Sequence, residues 1–144
     1  MKFTLIAAAV LATVATPALA EDWHAYSRTA ARAYLADVAS ITTVEGVTSI
    51  RAASVPMGTP AGDLSHSEET YQFECPAGKW RTAGSADYAA DGSEDGAYPE
   101  EGAAWENLTS NTVPDFLKQI ACDGSRSTGT TWPSIRAFVE AGRP

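Results

Sequence analysis

The stretch ETYQFECPAGKWR, residues 69–81, reads as two strands around a turn. Tyr71, Phe73 and Cys75 fall on one face and Thr70, Gln72 and Glu74 on the other, the period of a strand with one side on a core. Pro76-Ala77-Gly78 supplies turn chemistry and Lys79-Trp80-Arg81-Thr82 alternates again, so residues 69–82 are expected to form an antiparallel hairpin. Upstream, Val47 to Val55 is a second strand candidate, led in by Glu45-Gly46 and closed by Pro56, with PMGTPAGDLS (56–65) as the connecting loop.

Working outward from Cys75, the chain has one other cysteine, Cys122. The N-terminal segment MKFTLIAAAVLATVATPALA has one basic residue, an apolar run from Phe3 to about Ala15 and the small-residue ending Ala18-Leu19-Ala20, the pattern of a signal peptide. A membrane anchor is the alternative, but it needs about 20 apolar residues and this run breaks at Pro17. Cleavage after Ala20 is expected, giving a periplasmic or secreted protein with no membrane anchor, since no cysteine precedes Cys75 to take a lipid. Two cysteines in an exported chain read first as a disulfide, with two buried free thiols as the alternative. The Cys75–Cys122 loop of 47 residues corresponds to at most about 4 kcal/mol in the chain-entropy view.

Removing residues 1–20 leaves 124, enough for one domain with a core and too few for two of typical size. The full chain carries a net charge of −8, and the mature chain, without Lys2, −9, which disfavours nucleic acid or an anionic membrane surface as partner.

Around Cys122 the sequence favours a short amphipathic helix. Thr112 and Asp115 have capping-box-like spacing, Pro114 sits in the first turn, and Val113, Phe116, Leu117 and Ile120 form one stripe. A continuous helix would carry Cys122 about 140° round from Leu117, so the helix is expected to end near Ala121, with Asp123-Gly124 as its exit. For RTAARAYLADVASI, residues 28–41, the alanines and the spacing of Tyr34, Leu35, Val38 and Ile41 favour a helix on local propensity.

In this order of parts the chain resembles the surface-adhesin protein E-like domain family of exported Gram-negative bacterial proteins. The likeness rests on Trp23, YLADVASI (34–41), the Val47–Val55 strand, YQFECPAGKWR (71–81), Trp105 and VPDFLKQIAC (113–122). It implies an α+β fold: one antiparallel sheet of about six strands with a C-terminal helix tethered across it by the Cys75–Cys122 bond, and a strand in place of the helix at 28–41. Residues 1–20 are then the signal peptide, 21–124 the domain, and 125–144 a linker and short helix. The chain departs from the family's pattern in lacking a lipid-anchoring cysteine and in continuing into TWPSIRAFVEAGRP, where Trp132, Ile135, Phe138 and Val139 form a further apolar stripe.

Catalytic patterns are thin. His24 and His66 stand in polar or terminal surroundings with no HExxH, GxSxG, Walker or Rossmann motif, so both are expected at the surface and the protein is expected to be neither an enzyme nor a cofactor binder. DGSEDGAYPEEG (91–102) opens like a calcium loop at Asp91, Ser93 and Asp95, but its twelfth position is Gly102 and Pro99 takes a ligand position; a flexible Asp/Gly hairpin loop without metal is expected. Between Arg81 and Lys118 lie Asp87, Asp91, Glu94, Asp95, Glu100, Glu101, Glu106 and Asp115 with no Lys or Arg, which is either a solvated lobe or a docking surface for a basic segment. Trp23, Trp80, Trp105 and Trp132 are expected in the core and sheet, not in a ligand box.

Two function classes follow. One is a non-enzymatic interaction module of the adhesin kind, binding an envelope or host protein, or a second copy of itself, through the sheet or the acidic surface. The other is a carrier of a small apolar or cofactor-like molecule between sheet and helix, with His24, Met57 or His66 in contact.

Overall fold

The computed structural model describes residues 20–144. The signal-peptide expectation falls, apart from Ala20, outside them. Six strands follow one another as an antiparallel meander: β1 (Trp23–Arg28), β2 (Arg32–Val44), β3 (Val47–Pro56), β4 (His66–Glu74), β5 (Lys79–Tyr88) and β6 (Glu94–Pro99). Two short strands, β7 (Glu106–Asn107) on β5 and β8 (Thr131–Trp132) on β1, complete an eight-stranded sheet, against the six or so expected. The helices are α1 (Val113–Ala121) and α2 (Ile135–Glu140). The α+β class is as the sequence indicated.

The expected 69–82 hairpin is present, with Phe73 opposite Trp80 and Glu74 opposite Lys79, joined by a 3-10 turn at Cys75–Ala77. Cys75 thus sits in the turn, one residue past the strand. The β2–β3 hairpin turns on Glu45-Gly46, both left-handed (φ 49° and 81°), the geometry whose twist matches the flanking strands.

The helix that local propensity favours at 28–41 does not form; β2 runs there instead, paired with β1 and β3. The reason is burial on both faces. Ala33 and Leu35 join one core cluster with Trp23, Ala53 and Val55, while Ala36 and Val38 join the other with Ile50, Ala52 and Phe73. Neighbouring residues of β2 and β3 therefore point to opposite faces, and each face carries a helix. Leu117 and Ile120 of α1 cover the Ile50–Phe73 face, and Ile135, Phe138 and Val139 of α2 cover the Trp23 face. Alanine's small size lets both layers approach a strand that would otherwise read as a continuous apolar run.

α1 starts and ends where the sequence places it, but its cap differs. The Thr112 hydroxyl donates back to Thr109 O (2.7 Å) and leaves the helix N–H groups alone. Asp115 Oδ2 accepts from Asn111 N (3.0 Å), one residue before the cap, in place of the Thr112 N–H that a capping box would use. At the other end Cys122 is bonded to Cys75 across a Cα–Cα distance of 5.8 Å, fixing the helix end to the β4–β5 turn.

The C-terminal segment is built into the same core. Trp132 lies on β8, opposite Trp23, and not on the helical stripe expected of it. Ser134 caps α2 by accepting from Ala137 N (3.1 Å), and buried Arg143 donates to Thr59 Oγ1 (2.9 Å) and Asp63 O (2.6 Å), holding down the 56–65 loop. Among the described residues no helix is long and apolar enough to cross a membrane.

The disulfide gives the first prediction. Thiol titration of the denatured, unreduced protein should find no free sulfhydryl. After reduction, α1 amides should exchange faster relative to those of β4, because the sheet keeps its own ladder while α1 loses a covalent tie. Equal acceleration in both elements would show that the bond does not hold α1 in particular.

Candidate functional site

Three places in the fold concentrate polar chemistry. The first is interior. Arg51 stands in the middle of β3 on the Trp23 face, its Nη2 2.8 Å from Glu21 Oε1 and 2.7 Å from Asp37 Oδ2, its Nη1 3.4 Å from Glu68 Oε2. Its guanidinium lies over the Trp23 ring, 5.2 Å from the centroid, while Trp23 Nε1 donates to Glu21 Oε2 (2.8 Å). Asp37 is 2 % exposed, and its Oδ1 accepts from Asp22 N and Ala39 N. Burial by itself would lower the Arg51 pKa, but the Asp37 hydrogen bond and the fields of Glu68 and Glu21 outweigh it and hold the group above its ordinary value. These residues serve as a charge-paired plug in the sheet.

The histidines do not lie at the surface as expected. His66 is sandwiched, its ring stacked on Tyr88 at 4.3 Å, Nδ1 2.7 Å from Leu64 O and Nε2 3.3 Å from Glu68 Oε1. His24 is 7 % exposed, with Nε2 3.1 Å from Asp22 Oδ2. His66 was misjudged because its polar neighbours Ser65 and Ser67 point to the opposite face of the strand from the residue itself, and His24 because its cover comes from tertiary packing that its neighbours in sequence do not reveal.

The second place is the outer edge of the sheet. The acidic run does not form one surface. Glu106 is on β7, beside the Trp80 end of β5, and Asp115 is at the start of α1. Asp87, Asp91, Glu94, Asp95, Glu100 and Glu101 do follow one another along the β5–β6 hairpin and its exit. The segment expected as a flexible loop at 91–102 contains β6 itself: Glu94 pairs with Tyr88, Gly96 with Asp87 and Pro99 with Gly84. Asp91 closes the turn, its Oδ1 accepting from the Ser93 hydroxyl (2.6 Å) and Ser93 N (2.8 Å), which holds its pKa below the usual carboxylate value. Glu100 accepts from the Thr82 hydroxyl. All of β6 except Gly96 is exposed, Tyr98 at 57 %. Among the described residues no three His, Cys, Asp or Glu side chains converge as metal ligands.

The third place is a groove of about 340 Å³ between β1, α1 and the chain just after the disulfide. Ala25, Phe116 and Ile120 form its apolar wall; His24, Tyr26, Gln119 and Arg126 give its polar side. Burial pushes the Tyr26 phenol above its ordinary pKa, with Tyr34 and Glu69 adding to the shift. Of the three contacts expected for a carrier, only His24 is here. Met57 packs on the Trp23 cluster and His66 stacks on Tyr88. The tryptophans line no common site: Trp23 is core, Trp80 and Trp132 pack half-buried at the edges of the two clusters, and Trp105 lies under Arg81, 4.3 Å from its guanidinium.

Sequence reasoning missed the Arg51 plug, and of the expected sheet–helix groove it named one lining residue, His24. Arg51 was visible as the one charge inside an otherwise uncharged strand candidate, a signal for buried pairing. Comparison with protein-family models, with curated proteins and with solved structures finds no match for this chain, and its function is argued from its own geometry.

Proposed function

We propose that this domain is an exported, non-catalytic binding module of the surface-adhesin protein E-like kind, which takes up an extended basic segment of a partner protein along β6. The observation behind the reading is the asymmetry of the sheet's edges. At one end β8 pairs with the start of β1, and at the Trp80 end of β5 β7 pairs in turn; among the described residues β6 has β5 on one side and no strand on the other. An open edge offers unpaired backbone groups to an incoming strand, and natural sheets guard such edges with charge and proline. Here the guard is acidic, Glu94 and Asp95 on the strand with Glu100 and Glu101 just beyond Pro99. This repels further acidic chains, its own copies included, and admits a strand bearing lysine or arginine. The Cys75–Cys122 bond supports an oxidising compartment.

A peptide alternating lysine and valine serves as probe. Its capture should weaken steeply as salt rises from about 0.01 M, where screening acts beyond about 30 Å, to about 1 M, where it acts beyond about 3 Å. β6 amides should gain exchange protection on binding, and Glu94→Lys with Asp95→Lys should abolish capture without lowering thermal stability. Salt-independent capture, or capture with no new protection on β6, would overturn the reading.

A further inference from the structure

The groove between β1 and α1 carries an inference separate from the edge. Its ten lining residues include no Asp or Glu, although the chain as a whole is strongly acidic. What lines it instead is an apolar part, Ala25, Phe116 and Ile120, and a set of polar groups, His24, Tyr26, Gln119 and Arg126. One of these, His24, keeps a buried polar atom, Nδ1, with no hydrogen-bond partner among the described residues. Buried polar groups are almost always paired, so an orphan on a residue that lines the groove points to a missing partner.

The geometry points to a small carboxylate with an apolar body and one O–H or N–H donor as the ligand of this groove. Arg126 is placed for the carboxylate. Its Nη1 is engaged by Ile120 O (2.9 Å) and Ser125 O (2.7 Å), which positions the guanidinium and also occupies a C-terminal carbonyl of α1 that would repel an anion. Its Nε and Nη2 have no hydrogen-bond partner among the described residues, and the exposed guanidinium suits a bidentate contact. At His24 the roles are set by Asp22: with Nε2–H donating to Asp22 Oδ2 (3.1 Å), neutral imidazole offers Nδ1 as an acceptor, which calls for a ligand donor. The apolar wall takes the body of the molecule, and a volume of about 340 Å³ lies at the small end of ligand pockets, fitting a single ring.

The test uses 4-hydroxyphenylacetate, which has all three parts, beside phenylacetate, which lacks the donor, and tyramine, which replaces the carboxylate with a cation. Amide shifts are followed by NMR on the oxidised protein. The expected result is saturable shifts at residues 24–26, 116–120 and 125–128 with 4-hydroxyphenylacetate, weaker binding of phenylacetate and none of tyramine. Arg126→Gln, at an exposed position, should weaken binding of the first probe at least tenfold while leaving the spectrum of the free protein otherwise intact. Failure of 4-hydroxyphenylacetate to bind, equal binding of tyramine, or unchanged affinity in Arg126→Gln would overturn the assignment. None of these results depends on the β6 edge, whose residues lie outside the groove.

Discussion

Trp23→Ala is expected to lower stability by about 3–5 kcal/mol, a fall of about 12–20 °C in melting temperature for a domain of this size. The ring is fully buried against Leu35, Val55, Phe138 and Val139, elements drawn from both ends of the chain, so truncation opens a cavity that rigid strands on one side and α2 on the other cannot close. It also strips Glu21 of the indole N–H and Arg51 of the face beneath it. Trp23→Phe keeps most of the volume and should lose markedly less. A melting temperature within a few degrees of wild type for Trp23→Ala would mean that α2 does not close this face.

Arg51→Met should lower stability by about 3 kcal/mol, the low end for breaking a buried ion pair because the Arg51 side chain is a third exposed. The loss comes from what is left behind: Asp37, with almost no exposure, and Glu68, little more exposed, lose their countercharge together. The double variant Arg51→Met with Asp37→Asn should recover at least half. Asparagine keeps the Oδ1 acceptor for Asp22 N and Ala39 N while removing the unpaired charge. No recovery in the double variant would show that Arg51 acts through packing alone. Because Arg51 and Trp23 share a contact and both hold Glu21, the Trp23→Ala and Arg51→Met effects should fail to add, with a coupling of about 0.5–3 kcal/mol.

How much of this was legible depends on whether local pattern and tertiary environment agree. The 69–82 hairpin, the Val47 strand, both helices and the cysteine pairing could be read because each has a periodicity or a chemical constraint that the fold preserves. At residues 28–41 local propensity pointed to a helix and only the family resemblance to the strand that forms, because a strand covered on both faces by helices needs small residues, and alanine in isolation favours a helix. β6 was hidden for the opposite reason: Glu, Asp, Gly and Pro are poor strand formers, and only pairing with β5 makes EDGAYP extended. The acidic candidates Asp87, Asp91, Glu94, Asp95, Glu100 and Glu101 were legible as a group. Of the groove only its place between sheet and helix and His24 were legible, since its walls come from residues 24–26, 116–120 and 125–128, brought together only by the α1 layer and the disulfide.

The topology of the sheet has a consequence for the order of assembly. Each strand from β1 to β6 pairs with its successor, so hairpins can form one after another as the chain lengthens, with short loops to close. Closure does not follow that order. The outer side of β1 waits for β8 at residues 131–132, the Trp23 face waits for α2 at 135–140, and the 56–65 loop waits for Arg143. A growing chain therefore carries a nearly complete meander whose Trp23 face stays bare until residues 131–140 arrive. The interval in which a chaperone, a protease or a second unfinished copy can compete for the nascent protein is set by its C-terminal end, although most of its hydrogen-bonded ladder is encoded well before it.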